Sequence, residues 1–162
     1  MRYIKTVFMV FAADIFALFI GFTLAGSSSA AIKAVSGICG VGILAVILAD
    51  HAMVCARKDM KDNYPKALAV SVFMGASASL PYLVSWIFLA ASVKWNFEFY
   101  RAHKLINSYF LQILNLIEPD ASSAALSGAE LQLMLPLAAV PALLTAVPYI
   151  LVRKGIISAE NR

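Results

Sequence analysis

Asp14, Asp50 and His51 are the residues whose types and placement could do chemistry, because each sits in a hydrophobic run where a titratable side chain is costly. A carboxyl and an imidazole held away from water both titrate near neutral pH, so Asp14 with His51, and Asp50 at their flank, form a candidate proton or ion relay. An isolated charge at the midplane costs at least about 2.5 to 3.5 kcal/mol, so the Asp14 carboxyl is expected to be protonated, paired or hydrated. The structural alternative is one hydrogen-bonded pair that sets helix register, or an acid that meets a basic residue of a partner protein. The structural alternative is preferred. His51 and Cys55 share an i, i+4 spacing that could supply two metal ligands, but zinc wants three or four, and the other histidine, His103, is expected on the opposite side of the membrane. Walker-type phosphate loops, a serine nucleophile motif and HExxH are absent from the sequence. No catalytic residue, metal or cofactor is therefore expected.

The elements that must position these residues are membrane helices. The 162-residue chain is 62% hydrophobic and 14% charged, with a mean hydropathy of +0.83. A soluble domain is roughly 45 to 50% apolar, and a soluble fold of this size could not hide the excess. The net charge is +4, but the basic residues flank apolar runs, which the positive-inside rule explains without nucleic acid. Four spans are expected: TM1 at 7–25, TM2 at 34–56, TM3 at 67–93 and TM4 at 131–152, with an outer segment at 94–130 and a cytoplasmic tail at 153–162. The first run carries Arg2 and Lys5 ahead of it like a signal peptide, with Ser28 to Ala30 as a small-residue cleavage site. It is longer than a secretory core and is interrupted by Asp14, so it is read as a retained span. Gly26 to Ala31 is read as a turn. Cys39 and Cys55 are expected on one helix, roughly 24 Å apart, too far to bond.

Small residues mark the expected packing faces. Ala13, Ala17, Gly21 and Ala25 recur every four residues along TM1, and Asp14 falls within their arc. On TM2, His51 shares a face with Gly40 and Gly37, whereas Asp50 lies to one flank. On TM3, Ser71, Gly75, Ala78, Ser79, Tyr82 and Ser85 face one way and Phe73, Leu80, Val84, Ile87 and Phe88 the other. Counting from Lys5 and Arg57 places Asp14 roughly 13 Å and His51 roughly 9 Å from the same interface, which makes them candidate partners. Pro81 is expected to kink TM3, and Pro136, Pro141 and Pro148 interrupt TM4.

Of the 13 basic residues, nine fall at the two ends and in the TM2 to TM3 turn: Arg2, Lys5, Arg57, Lys58, Lys61, Lys66, Arg153, Lys154 and Arg162. Lys33, Lys94, Arg101 and Lys104 are left for the other side, so both termini are expected in the cytoplasm. Between TM3 and TM4, Phe99, Ala102, Ile106, Tyr109, Phe110, Ile113, Leu116 and Ile117 recur at helical spacing against Arg101, Lys104, Ser108, Gln112 and Asn115. One outer interfacial amphipathic helix is expected there, lying flat or capping the bundle; a shallow re-entrant helix is the alternative.

Four spans with cytoplasmic termini and an amphipathic helix before the last span resemble the layout of the disulfide-generating quinone reductases of bacterial membranes. Those enzymes need cysteine pairs on the outer side, and neither outer segment of this chain has a cysteine, so the resemblance carries no activity. The expected fold is thus an all-α polytopic membrane bundle, bound to the lipid bilayer and to copies of itself or partner membrane subunits. The expected function is a non-enzymatic scaffold or accessory subunit; the alternative is a small oligomeric proton-coupled transporter or channel that uses Asp14 and His51. With no N-x-S/T sequon, a bacterial inner membrane is the expected location.

Overall fold

The computed structural model describes residues 1–24 and 29–157. Ala25, the 26–28 part of the expected turn and Arg162 lie outside the described residues. The described chain is all helical. Its long elements are α1 (Arg2–Leu24), α2 (Ala30–Lys61) and α3 (Ala67–Trp95). Then come the short α4 (Tyr100–Ile106), a 3-10 turn at Ser108–Phe110 and α5 (Leu111–Ile117). The last long rod is composite: α6 (Gly128–Met134), a 3-10 turn at Leu135–Ala138 and α7 (Ala139–Arg153). Four stretches are long and apolar enough to cross a membrane: Arg2–Gly21, Ala30–Lys61, Ala67–Trp95 and Gly128–Arg153.

The helices start and stop where backbone chemistry requires. α2 ends with Asn63 in the left-handed region (φ 50°), and the Tyr64 N–H donates back to the Asp59 carbonyl at 2.9 Å. That is a Schellman closure, and Pro65 follows to prevent continuation. α3 closes the same way through Asn96, with the Phe97 N–H on the Ser92 carbonyl at 3.1 Å. At the start of α6, Ser127 and Glu130 form a capping box. α3 runs unbroken through Pro81, whereas Pro136, which lacks the N–H an α-helix needs, lies in the 3-10 turn that joins α6 to α7.

The four long rods pack in a ring, α1 against α2, α2 against α7, α7 against α3 and α3 against α1. Two apolar cores fill it. The core near the start of α1 is Ala52, Ala56, Val70, Met74, Tyr149 and Val152. The larger one joins Val10, Ala13, Ala17, Leu44, Leu48, Ala78 and Tyr82 to Tyr100, Tyr109, Phe110 and Leu114 of the α4–α5 segment.

The amphipathic helix expected there, lying flat or capping the bundle, is two short helices joined by a 3-10 turn instead of one rod. It is broken at Asn107, and it enters the bundle to touch α1, α2 and α3. His103, Lys104, Asn107 and Ser108 are buried instead of facing water. Lys104, Asn107 and Ser108 find hydrogen-bond partners inside the protein, and His103 does so through Nδ1 while its buried Nε2 has none among the described residues; Arg101 of the expected polar face stays exposed.

Candidate functional site

Asp14 stands ten residues from the end of α1, roughly 15 Å along the axis, and is buried. Its carboxyl Oδ1 accepts the Ser108 main-chain N–H at 2.7 Å. The Ser108 hydroxyl lies 2.7 Å from the same oxygen and 2.8 Å from the Asp14 main-chain carbonyl. Asp14 thus caps the turn that leads into α5, supplying an acceptor to a backbone donor that a helix start leaves unpaired.

His51 is also buried, but its Nε2 lies 3.2 Å from the Thr6 hydroxyl oxygen, whose proton goes to the Arg2 carbonyl at 3.0 Å. The Cys55 sulfur is 3.8 Å from the same nitrogen. Thr6 and Asp14 are eight residues apart on α1, roughly 12 Å along the axis. Counting up α1 and down α2 from the Thr6–His51 contact sets Asp14 opposite Ile43 and Leu44. The expected Asp14–His51 pair is therefore not formed. The Thr6–His51 contact sets Lys5 level with Ala52, five residues before Arg57, so Lys5 and Arg57 do not mark one depth and the two helices are out of the expected register. Asp50 is exposed on the flank.

A third acid ties helices together. Asp59 is buried, ion-paired with Arg2, and accepts the Tyr149 hydroxyl at 2.6 Å, so it ties together α1, α2 and α7. The sequence carries its signal: the stripe Gly40, Leu44, Leu48, Ala52 and Ala56, buried in the fold, leads at helical spacing to Asp59. At the opposite end, the buried Lys104 ammonium donates to the carbonyls of Glu118 and Asp120 at 2.8 Å each and of Pro119 at 3.3 Å. Its three protons neutralise the carbonyl end of α5. Burial pulls this ammonium below its ordinary pKa, against the opposing pull of Glu118 and Asp120.

Between these sites runs a neutral network. The Ser85 hydroxyl donates to the Tyr82 carbonyl at 3.0 Å and accepts the Asn107 amide at 2.8 Å, with His103 Nδ1 at 3.1 Å. The Tyr109 hydroxyl closes it on the Asn107 side-chain oxygen at 3.0 Å. α3 also grips the composite rod through three donors: Ser79 to the Ala138 carbonyl, Tyr82 to Met134 at 2.8 Å and Trp86 to Leu131 at 3.0 Å. Neighbouring side chains commonly satisfy an interrupted membrane helix in this way.

Gly40 and Gly75 meet backbone, Gly37 and Gly21 side chains. A Cβ at Gly40 would lie 3.0 Å from the Tyr109 carbonyl oxygen, one at Gly37 3.1 Å from Gln112 Cβ, and one at Gly75 3.1 Å from the Ala142 carbonyl oxygen. A Cβ at Gly21 would have ordinary contact with Leu111 at 3.7 Å. Ala13, Ala17, Ser71 and Ser79 are buried, while Phe73, Leu80, Val84, Ile87 and Phe88 are exposed. Among the described residues no group of three or more His, Cys, Asp or Glu could hold a metal. No known protein family, curated protein or solved structure matches this chain.

Proposed function

We propose that this chain is a multi-pass protein of a bacterial inner membrane that works as a non-enzymatic scaffold or accessory subunit. In this reading the start of α1, the α2–α3 turn and the end of α7 face the cytoplasm, following the bias of basic residues. The α4–α6 segment belongs to the outer half and enters the bundle as a re-entrant plug rather than lying flat. The observation that carries the proposal is the Asp14–Ser108 contact: the deep acid is spent on holding the chain's own backbone. A proton carrier needs its carboxyl free to exchange with a second titratable group, and Asp14 faces a serine and a peptide N–H. The lipid-facing Phe73, Leu80 and Ile87 of α3 are available to partner subunits or to a second copy.

A small oligomeric proton-coupled transporter is the competing reading, and the break at Asn107 is the observation on its side, because transporters place broken helices at their binding sites. Reconstitution in liposomes separates the two. For a scaffold, vesicles with wild-type protein lose an imposed pH gradient no faster than empty ones, and Asp14→Asn vesicles behave alike. Faster wild-type loss that Asp14→Asn abolishes would establish the transporter instead.

A further inference from the structure

A cleft of about 610 Å³ opens between the first turns of α1 and the last turns of α2. That volume falls in the range of roughly 300–1,000 Å³ typical of small-ligand sites. Its polar wall carries Arg2, Lys5 and Lys58 beside His51, and its one carboxylate, Asp59, is already taken by Arg2. Lys5 and Lys58 are exposed, and the ion pair found among the described residues uses neither. The cleft therefore presents two uncommitted ammoniums and a guanidinium with donors to spare, an excess of positive charge suited to a phosphodiester.

The rest of the lining says which phosphodiester. Ile4 (64% exposed), Phe8 (66%) and Val54 (52%) form an apolar wall that continues into the outward surface of α1 and α2. Along α1 the order is cation, apolar, cation, apolar, from Arg2 through Ile4 and Lys5 to Phe8, leading from the helix end toward its middle. A soluble phosphate has no use for such a wall, whereas a lipid lays its headgroup against the cations and an acyl chain along Ile4, Phe8 and Val54. Basic pockets between membrane helices hold acidic headgroups for this reason.

We propose that the cleft between α1 and α2 is a binding site for one anionic phospholipid, with Lys5 and Lys58 holding its phosphate and Ile4, Phe8 and Val54 its acyl chain. The assignment is independent of whether the protein is a scaffold or a transporter. Two lysines at a membrane surface together weigh roughly thirtyfold in binding to an acidic lipid.

The test is native mass spectrometry of the full chain released from nanodiscs that hold phosphatidylglycerol and phosphatidylcholine of identical acyl chains. Wild type is expected to retain one phosphatidylglycerol in preference to phosphatidylcholine. Lys5→Gln with Lys58→Gln is expected to lose that preference about thirtyfold, at an unchanged melting temperature in lipid-free detergent, because both side chains are exposed. Lys61→Gln with Lys66→Gln, the same charge change outside the cleft, is expected to keep it. Equal retention of the two lipids by wild type, or equal loss in both double variants, would overturn the site. Displacement of the lipid by millimolar inorganic phosphate would overturn the lipid assignment in favour of a free anion.

Discussion

Asp59 shows how a residue can change role when its helix runs one turn further. In the sequence it belongs to a charged cluster after an apolar run, the usual composition of a wet turn. In the fold α2 carries it past that run and turns it inward onto Arg2 and Tyr149. Asp59→Asn is expected to lower stability by about 2 kcal/mol, less than a fully buried pair would lose, because Arg2 keeps 31% of its side chain exposed. Detergent-solubilised unfolding of wild type and variant measures it, and an unchanged midpoint would contradict the tie. Glu98 gives a second residue-level expectation. Its carboxylate accepts the Ser123 N–H at 2.9 Å and the Ser122 hydroxyl at 2.8 Å, and these bonds hold its pKa below the ordinary 4.5. A depressed acid contributes stability that is present above its unfolded value and lost as pH falls through its folded value. Wild type is therefore expected to melt above Glu98→Gln at pH 7, with the gap closing in acid below pH 4.5; a gap constant across pH would show that the ionised form has no part in it.

At the scale of elements, the helices were legible because run length and hydropathy are local properties. The face of α3 was legible for the same reason, since Ser71, Gly75, Ser79 and Tyr82 follow one helical period. The path of the α4–α5 segment was not. Its polar residues read as a wet face only if their partners are water, and the partner of Ser108, Asp14, lies 94 positions away in the chain. The Asn107–Ser108 pair between apolar neighbours was the one local hint of a break. Close approach of this segment to α2 requires glycine at position 40, where a Cβ would meet the Tyr109 oxygen at 3.0 Å and its Cα at 3.2 Å. Gly40→Ala must push backbone apart and is expected to cost about 1–3 kcal/mol. Gly42→Ala, with nothing within 4 Å, is expected to be neutral or to gain up to about 1 kcal/mol from helix propensity. Unfolding midpoints in detergent that rank the two variants the other way round would place the segment elsewhere.

At the scale of the molecule, four apolar rods form a ring, and the inserted segment closes one end of it. Ion pairing at Asp59 gathers the other end. Asp14, Asp59, Ser79, Tyr82 and Trp86 fasten distant parts of the chain, which is why a non-enzymatic role is proposed. Its central claim is that Asp14 works through Ser108 and not through His51. Two double-mutant cycles read this directly from unfolding free energies of the solubilised protein, one for Asp14→Ala with Ser108→Ala and one for Asp14→Ala with His51→Ala. The expected result is a coupling of about 1.5 kcal/mol or more for Asp14 with Ser108, and additivity within about 0.5 kcal/mol for Asp14 with His51. Coupling of Asp14 to His51 with none to Ser108 would contradict the account.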